Sequence, residues 1–178
     1  EYRQAAIRNV DYILNYLRSK PLSAGTLPEL QHSATQPYAF LDDYAFFIAA
    51  LTDVYEITFE YRYLELASQY TDYVLHAFSD TDNPLFYFVA VTQNDILLRK
   101  KDLYDNATPS GNSVMVHNLQ KLGLLLDRPE WREKADQMMK TMEASVLQFP
   151  LSFAKWAAAM LHQGTSPVEI ALVGENAL

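Results

Sequence analysis

The sequence of 178 residues contains no cysteine. This absence excludes disulfides, thiolate catalysis and zinc sites built on thiolates, and it leaves the cellular compartment open. Glycine is also scarce, with 5 residues, and proline contributes only 8. Because turn-rich β folds need many of both, their scarcity favours a helical chain.

Basic residues are in the minority, with 14 Lys and Arg against 22 Asp and Glu, so the net charge is -8. An acidic chain without a basic stripe argues against a nucleic-acid partner. No apolar run reaches the roughly 20 residues that span a bilayer, so we expect no membrane contact and a cytoplasmic location. The sequence has no glycine-rich phosphate loop and no His-Glu-x-x-His motif, and it therefore predicts neither a cofactor nor a metal ion.

Hydrophobic residues make up 49% of the chain, which is enough for one domain, residues 1–178, with a sizeable core. Their spacing predicts six helices, near Tyr2–Leu17, Leu41–Phe59, Tyr61–Phe78, Pro109–Leu126, Glu130–Val146 and Leu151–Leu161. The first, third and fifth carry one apolar stripe, whereas the second, fourth and sixth are apolar on most faces. The alternation predicts an all-α fold with inner and outer rows of helices, as in α-solenoids and closed α/α toroids. A sequential four-helix bundle is the alternative, although it would not require this alternation.

Two long connections interrupt the helices. Ser19–Pro37 has no helical period and predicts a loop, with room for a short strand pair. Within the second connection, the aromatic and branched runs Leu85–Val89 and Ile96–Leu98 flank a polar turn and predict a small β-hairpin. Val168–Val173 predicts a last strand.

The densest polar run of the chain is Arg99–Ser113, and an apolar helix follows it directly. Thr108 suits the N-cap of that helix and Pro109 its first position. The small side chains that follow would leave backbone N–H groups open to an anion or a polar ligand. Both long connections lead into inner helices at the same end, so we expect one rim to hold the candidate site residues, which are Asp42, Asp43, Tyr44, Asp102, Tyr104, Asp105 and Asn112.

These residue types suit carbohydrate chemistry. Asp42, Asp43 and Asp105 are the candidate catalytic residues, since glycoside hydrolysis uses two carboxylates roughly 5 to 10 Å apart. Crowded carboxylates also repel one another, which predicts a raised pKa for at least one of them. The alternative role for Asp42 and Asp43 is helix capping, and the sequence favours neither the catalytic nor the capping interpretation. For Asp102 and Asp105 the alternative, an ion-pair network, is favoured over catalysis, with partners at Arg99, Lys100 and Lys101.

Four further residues are candidates for substrate binding: Tyr44, Asp102, Tyr104 and Asn112. The tyrosines would stack on a sugar ring, although core or rim packing is the more common role for either of them alone. His117 falls within an inner helix and is expected to be a hydrogen-bonded core histidine. His32 falls in a loop, and the sequence assigns it no role.

Several motifs together resemble the C-terminal part of the YyaL / spermatogenesis-associated thioredoxin-domain family. They are Phe40–Phe46 (FLDDYAF), Lys101–Asp105 (KDLYD), Thr108–Ser113 (TPSGNS) and Val173-Gly174, in that order through nearly the whole chain. The resemblance implies part of an α/α toroid, similar to N-acylglucosamine 2-epimerases and six-hairpin glycosidases. It also implies that more toroid and a thioredoxin-like domain lie before Glu1, and that some chain follows Leu178. No catalytic roles can be carried over from the family.

Two functions follow from these expectations. In the first, the rim binds a carbohydrate and processes it in the manner of a sugar epimerase or a glycoside hydrolase. In the second, the domain is a non-catalytic helical scaffold that contacts another domain or protein. Because about six helices are half of a closed toroid, we also expect contact with the rest of the toroid, or self-association of this chain.

Overall fold

The computed structural model describes residues 1–18, 29–93 and 95–164. In these ranges the chain is all-helical, with six α-helices and one short 3₁₀ turn at Pro150–Ser152. The helices are α1 (Tyr2–Tyr16), α2 (Leu41–Thr58), α3 (Tyr61–Ala77), α4 (Gly111–Leu125), α5 (Pro129–Gln148) and α6 (Ala154–Gln163). The number and order of the helices confirm the prediction. Within the described ranges, no helix combines the length and apolarity that crossing a membrane requires.

Helices α2 and α4 form the inner row, as their composition predicted. Helix α2 packs against α1, α3 and α4, and α4 packs against α2, α5 and α6. Between Tyr44 and Leu51 most side chains are therefore buried; Ala49 and Ala50 are partly buried, and Phe46 is 40% exposed. Nearly the whole first half of α4, from Gly111 to Val116, is buried as well.

Helices α3 and α5 are outer helices that bury one stripe each. Trp131, Ala135 and the methionines Met138, Met139 and Met142 of α5 lie in the core, where the methionines fill space. Helix α6 differs from the prediction, because only Trp156 and Ala159 are fully buried. It packs on α4, α5 and the 3₁₀ turn at Pro150–Ser152, so its far side remains open and Leu161 is 76% exposed.

The predicted hairpin between α3 and α4 is wrong. Neither Leu85–Val89 nor Ile96–Leu98 is a strand, and the only β pairing in the described ranges is a single antiparallel bridge between Arg18 and Leu30. That bridge flanks residues 19–28, and the strand predicted at Val168–Val173 lies outside the described residues.

Much of the polar backbone of Leu85–Val89 is bonded to helix ends, although Phe88 N–H donates to Lys100 C=O at 2.7 Å. Tyr87 N–H donates to the carbonyl of Phe78, just after α3, at 2.9 Å. Phe88 C=O accepts from Leu41 N–H, the first residue of α2, also at 2.9 Å. Asn112 in α4 clamps Phe86 from both sides, accepting from its N–H at 2.8 Å and donating to its C=O at 3.0 Å. Because these groups are occupied, no ladder can form.

Removing the Asn112 clamp should therefore destabilise the domain. Asn112 is fully buried, and its amide also donates to Asp102 C=O at 3.0 Å. Asn112→Ala leaves buried backbone groups without partners, and we expect a loss of about 2–4 kcal/mol in the free energy of unfolding. Chemical denaturation measures it. Asn106→Ala, at an exposed position, is the control and should change stability by less than about 0.5 kcal/mol. Equal effects of the two changes would contradict the clamp.

Candidate functional site

The inner helices α2 and α4 begin at the same end of the domain, as the sequence predicted, and α6 begins there as well. Asp42 in the first turn of α2 accepts a hydrogen bond from Gly111 N–H, the first residue of α4, at 2.8 Å. Asp105 accepts from Ser110 N–H at 3.0 Å and from Lys155 N–H, in the first turn of α6, at 2.8 Å. Carboxylates thus connect three helix starts, where backbone N–H groups lack partners within the helix.

Helix α4 begins two residues later than predicted. Its N-cap is Ser110, whose side chain accepts from Ser113 N–H at 3.2 Å, and not Thr108 followed by Pro109. The expectation that this start is open to an anion is also wrong, because Asp42 already occupies Gly111 N–H. A β-carbon at Gly111 would collide with the Asp42 carboxylate and lie 2.9 Å from Leu41 Cγ. Glycine is therefore required for the two helix starts to approach this closely.

Asp105 is held by both of its carboxylate oxygens. Its Oδ1 accepts from Ser110 N–H and, at 2.7 Å, from the Ser113 hydroxyl, and its Oδ2 accepts from Lys155 N–H. Charged acceptors at helix starts are strongly stabilising. These bonds give Asp105 a structural role at the starts of α4 and α6, and the catalytic role of Asp105 stays a prediction.

Asp42 and Asp43 cap two different helices. Asp43 Oδ2 accepts from Phe40 N–H at 2.8 Å and so closes the start of its own helix, while Asp42 caps α4. The sequence could not justify two adjacent capping residues in one helix. The structure explains the pair, since each carboxylate serves a different helix.

Both carboxylates also line a pocket of about 290 Å³ at the start of α2. The rest of its wall is largely apolar and comes from α1, α2 and the segment before α2. The lining residues are Ile13, Leu17, Leu30, Gln31, His32, Asp42, Asp43, Phe46, Phe47 and Ala50. The pocket therefore combines carboxylates with an accessible aromatic ring, that of Phe46.

His32, which sequence reasoning left without a role, is the principal addition to the site. Its Nδ1 lies 2.9 Å from Asp43 Oδ2, with the two side chains 47% and 28% exposed. An ionised carboxylate can only accept, so Nδ1 of His32 carries a proton and donates it to Asp43, and the second ring nitrogen, Nε2, is left for another partner. The two residues lie 11 apart across a loop, and no local spacing in the sequence signals such a pair.

Asp42 has the raised pKa that crowding predicted for one of the carboxylates. Partial burial is the main cause, and the negative charges of Asp102 and Asp43 add to it, while the hydrogen bond from Gly111 works in the opposite direction. The described contacts include no salt bridge from Asp42 to Lys or Arg. The negative charge of this rim is therefore poorly compensated.

The described salt bridges include none from Asp102 or Asp105, so the alternative of an ion-pair network with Arg99, Lys100 and Lys101 is wrong. Lys101 bonds to Asp80 at 2.6 Å, and Arg99 donates to the carbonyls of Ala77 and Val89. Lys101 holds the pKa of Asp80 at about 2. These two cations are therefore engaged away from the rim.

Three of the candidate substrate-binding residues prove to have structural contacts. Tyr44 is buried, with its ring stacked on Tyr73 at 4.9 Å and its hydroxyl accepting from Leu30 N–H at 2.8 Å, so it cannot stack on a ligand. The side-chain amide of Asn112 is occupied by its hydrogen bonds to the backbone of Phe86 and Asp102. Tyr104 is 59% exposed but already stacks on Phe153, 5.0 Å away. Tyr104 does not line the pocket.

Asp102 is the fourth, and it lies near the pocket without lining it. Its carboxylate accepts no hydrogen bond within the described ranges, and its charge reaches Asp42. It therefore acts on the site through its charge and not through a contact.

His117 has the structural role expected of it. Its Nε2 lies 3.0 Å from Lys155 C=O, and burial lowers its pKa. It faces a larger groove of about 740 Å³ between α4, α5 and α6, together with Lys121, Arg132 and Asp136. This groove gathers residues of both charges.

Neutralising Asp105 should weaken the joint between α4 and α6. Asp105→Asn keeps the size but removes the charge and replaces one acceptor oxygen with an amide nitrogen, which can only donate. We expect a loss of about 1–3 kcal/mol in unfolding free energy. Denaturant titration measures it. Asp82→Asn, at an exposed position, serves as the control. An Asp105 variant as stable as the parent would show that these bonds contribute nothing.

Neutralising Asp42 should change how stability depends on pH. Because its pKa is raised in the folded state, the fold binds the proton more tightly than the unfolded chain does. This contribution is fully present below the ordinary value of 3.8 and is lost as the pH rises through the raised pKa. Asp42→Asn has no such loss, so its stability relative to the parent should improve from about pH 4 to pH 7. Parallel curves of unfolding free energy would contradict the assignment.

Comparison with known proteins agrees with the motifs. No family model matches the chain. It is 30% identical over 153 residues to spermatogenesis-associated protein 20 of Rattus norvegicus and 29% over 148 residues to that of Homo sapiens. An uncharacterized protein of Caenorhabditis elegans is 30% identical over 154 residues. These matches cover 83 to 85% of this chain but only about a fifth of each relative. The chain is therefore a homologue of one segment of the spermatogenesis-associated protein 20 family, as the motifs predicted.

Proposed function

We propose that the pocket at the start of α2 binds a carbohydrate. The observation that carries the proposal is the His32–Asp43 pair, which lies beside Asp42 in a pocket that is otherwise apolar. Carboxylates and an imidazole accept hydrogen bonds from sugar hydroxyls, while an aromatic ring packs on the apolar face of the sugar. Phe46 takes the stacking role that the sequence had given to Tyr44.

The same geometry supports acid–base processing of the bound sugar. Asp43 fixes the proton on Nδ1 of His32 and leaves Nε2 directed to other partners, which is how a general base is oriented. The Asp42 carboxylate lies on the same wall of the pocket, where it can exchange a proton with a bound sugar. Epimerase-like proton transfer fits this pair better than glycoside hydrolysis by two carboxylates, since Asp105 is committed to helix starts.

A panel of neutral sugars tests the proposal by chemical-shift perturbation in NMR spectra of the 178-residue chain. We expect the perturbed amides to cluster around His32, Asp43 and Phe46. His32→Ala and Phe46→Ala should each weaken binding at least about tenfold, the loss of one good polar or stacking contact. His76→Ala is the matched control, because His76 is exposed on α3.

The scaffold hypothesis is the competing outcome of the same experiment. Exposed apolar side chains near the end of α5 and on α6, at Leu147, Leu151 and Leu161, would suit contact with a further domain. Absence of binding by every sugar tested, in a chain shown to be folded, would overturn the carbohydrate proposal and leave the scaffold.

A further inference from the structure

The pocket at the start of α2 has an excess of negative charge on its wall. Asp42 and Asp43 line it, and neither Lys nor Arg is among the described lining residues. The one basic group there is His32, which already pairs with Asp43. The Asp42 carboxylate is thus left without a cationic partner.

Nearby residues make the excess larger. The charge of Asp102 reaches Asp42 and adds to that of Asp43. The cations that follow α3 in sequence do not pair with Asp42. Lys101 is paired with Asp80, Arg99 donates to backbone carbonyls, and exposed Lys100 forms no salt bridge in the described part of the chain. The N–H of Gly111 opposes the charge in part, through one hydrogen bond to Asp42 Oδ1. Asp42 Oδ2 has no hydrogen bond in the described part of the chain.

A metal ion is a poor candidate for the missing positive charge. In the described ranges no three His, Asp or Glu side chains are grouped so that they could hold one. Much of the pocket wall is also apolar, from Ile13, Leu17 and Phe46, and a hydrated divalent ion gains nothing from such a wall. An organic cation is different, because its carbon skeleton packs on apolar side chains and its charge is attracted by an aromatic face.

Given the proposed carbohydrate binding, on which this inference rests, we propose that the ligand carries a protonated amine. The ligand class is an amino sugar with a free amino group, whose ammonium lies against Asp42 and whose ring contacts Phe46. A neutral N-acylated sugar would leave Asp42 uncompensated, and an acidic sugar would add a repelling charge. An ammonium also supplies several donors to the open carboxylate oxygen.

Four sugars that share one ring size test the proposal: glucosamine, N-acetylglucosamine, glucose and glucuronate. Titration calorimetry on the 178-residue chain at about pH 6.5 keeps an amine of ordinary pKa protonated. We expect glucosamine to bind at least about tenfold more tightly than glucose, and glucuronate to bind most weakly. The preference should shrink as salt is added, because the attraction is screened.

Two variants locate the charge that is responsible. Asp42→Asn should remove most of the preference for glucosamine, and Asp102→Asn should reduce it without disturbing the cap on α4, since the Asp102 carboxylate is not part of that cap. Asp82→Asn removes one charge from an exposed position and should leave the preference intact. A drop of equal size in all three would show general attraction to an acidic protein and would overturn the inference.

The outcomes distinguish the assignment of a free amine from the proposed carbohydrate binding on which it rests. Equal affinity for glucose and glucosamine, or tighter binding of N-acetylglucosamine or glucuronate, overturns the free-amine assignment and leaves carbohydrate binding in place. No detectable binding of any of the four sugars overturns both. Tight binding of glucosamine that is unchanged in both Asp42→Asn and Asp102→Asn places the ammonium elsewhere and also overturns the inference.

Discussion

The contact between Asp42 and Gly111 is the constraint on which the rest of the structure depends. One hydrogen bond of 2.8 Å brings the start of α4 against the start of α2, and there is no room for a side chain at Gly111. Once these two inner helices are in register, Asn112 reaches Phe86 and Ser110 reaches Asp105. The long segment between α3 and α4 is thereby fixed without any regular structure of its own.

The same contact determines the electrostatics of the pocket. A carboxylate that caps a helix must lie close to backbone and partly out of water, and this raises the free energy of its charged form. Asp42 has this cost together with the repulsion of Asp43 and Asp102. Asp105 serves the start of α6, whereas Asp42 and Asp43 lie at the wall of the pocket.

Sequence periodicity predicted the six helices and their layers because burial determines where apolar residues fall, and burial dominates this fold. The prediction of a β-hairpin between α3 and α4 was wrong for a physical reason. Leu85–Val89 is as aromatic and branched as a strand, but its hydrogen-bonding partners include Asn112 and the first residue of α2, which are distant in sequence. The sequence also did not predict the His32–Asp43 pair, since the pair depends on how the segment before α2 folds back over that helix.

The pocket wall also connects ligand binding to the attachment of α1. Helix α1 contributes Ile13 and Leu17 to the pocket, yet Val10 is its only fully buried residue. A helix with so little buried surface is held weakly and is expected to open at a lower free energy than the core. A ligand that contacts α1 and α2 together binds the closed arrangement alone, and it must therefore stabilise that arrangement by the free energy of binding. The fraction of molecules in which α1 is closed over the pocket therefore affects the affinity for a ligand, and ligand binding in turn increases that fraction, whatever ligand occupies the site.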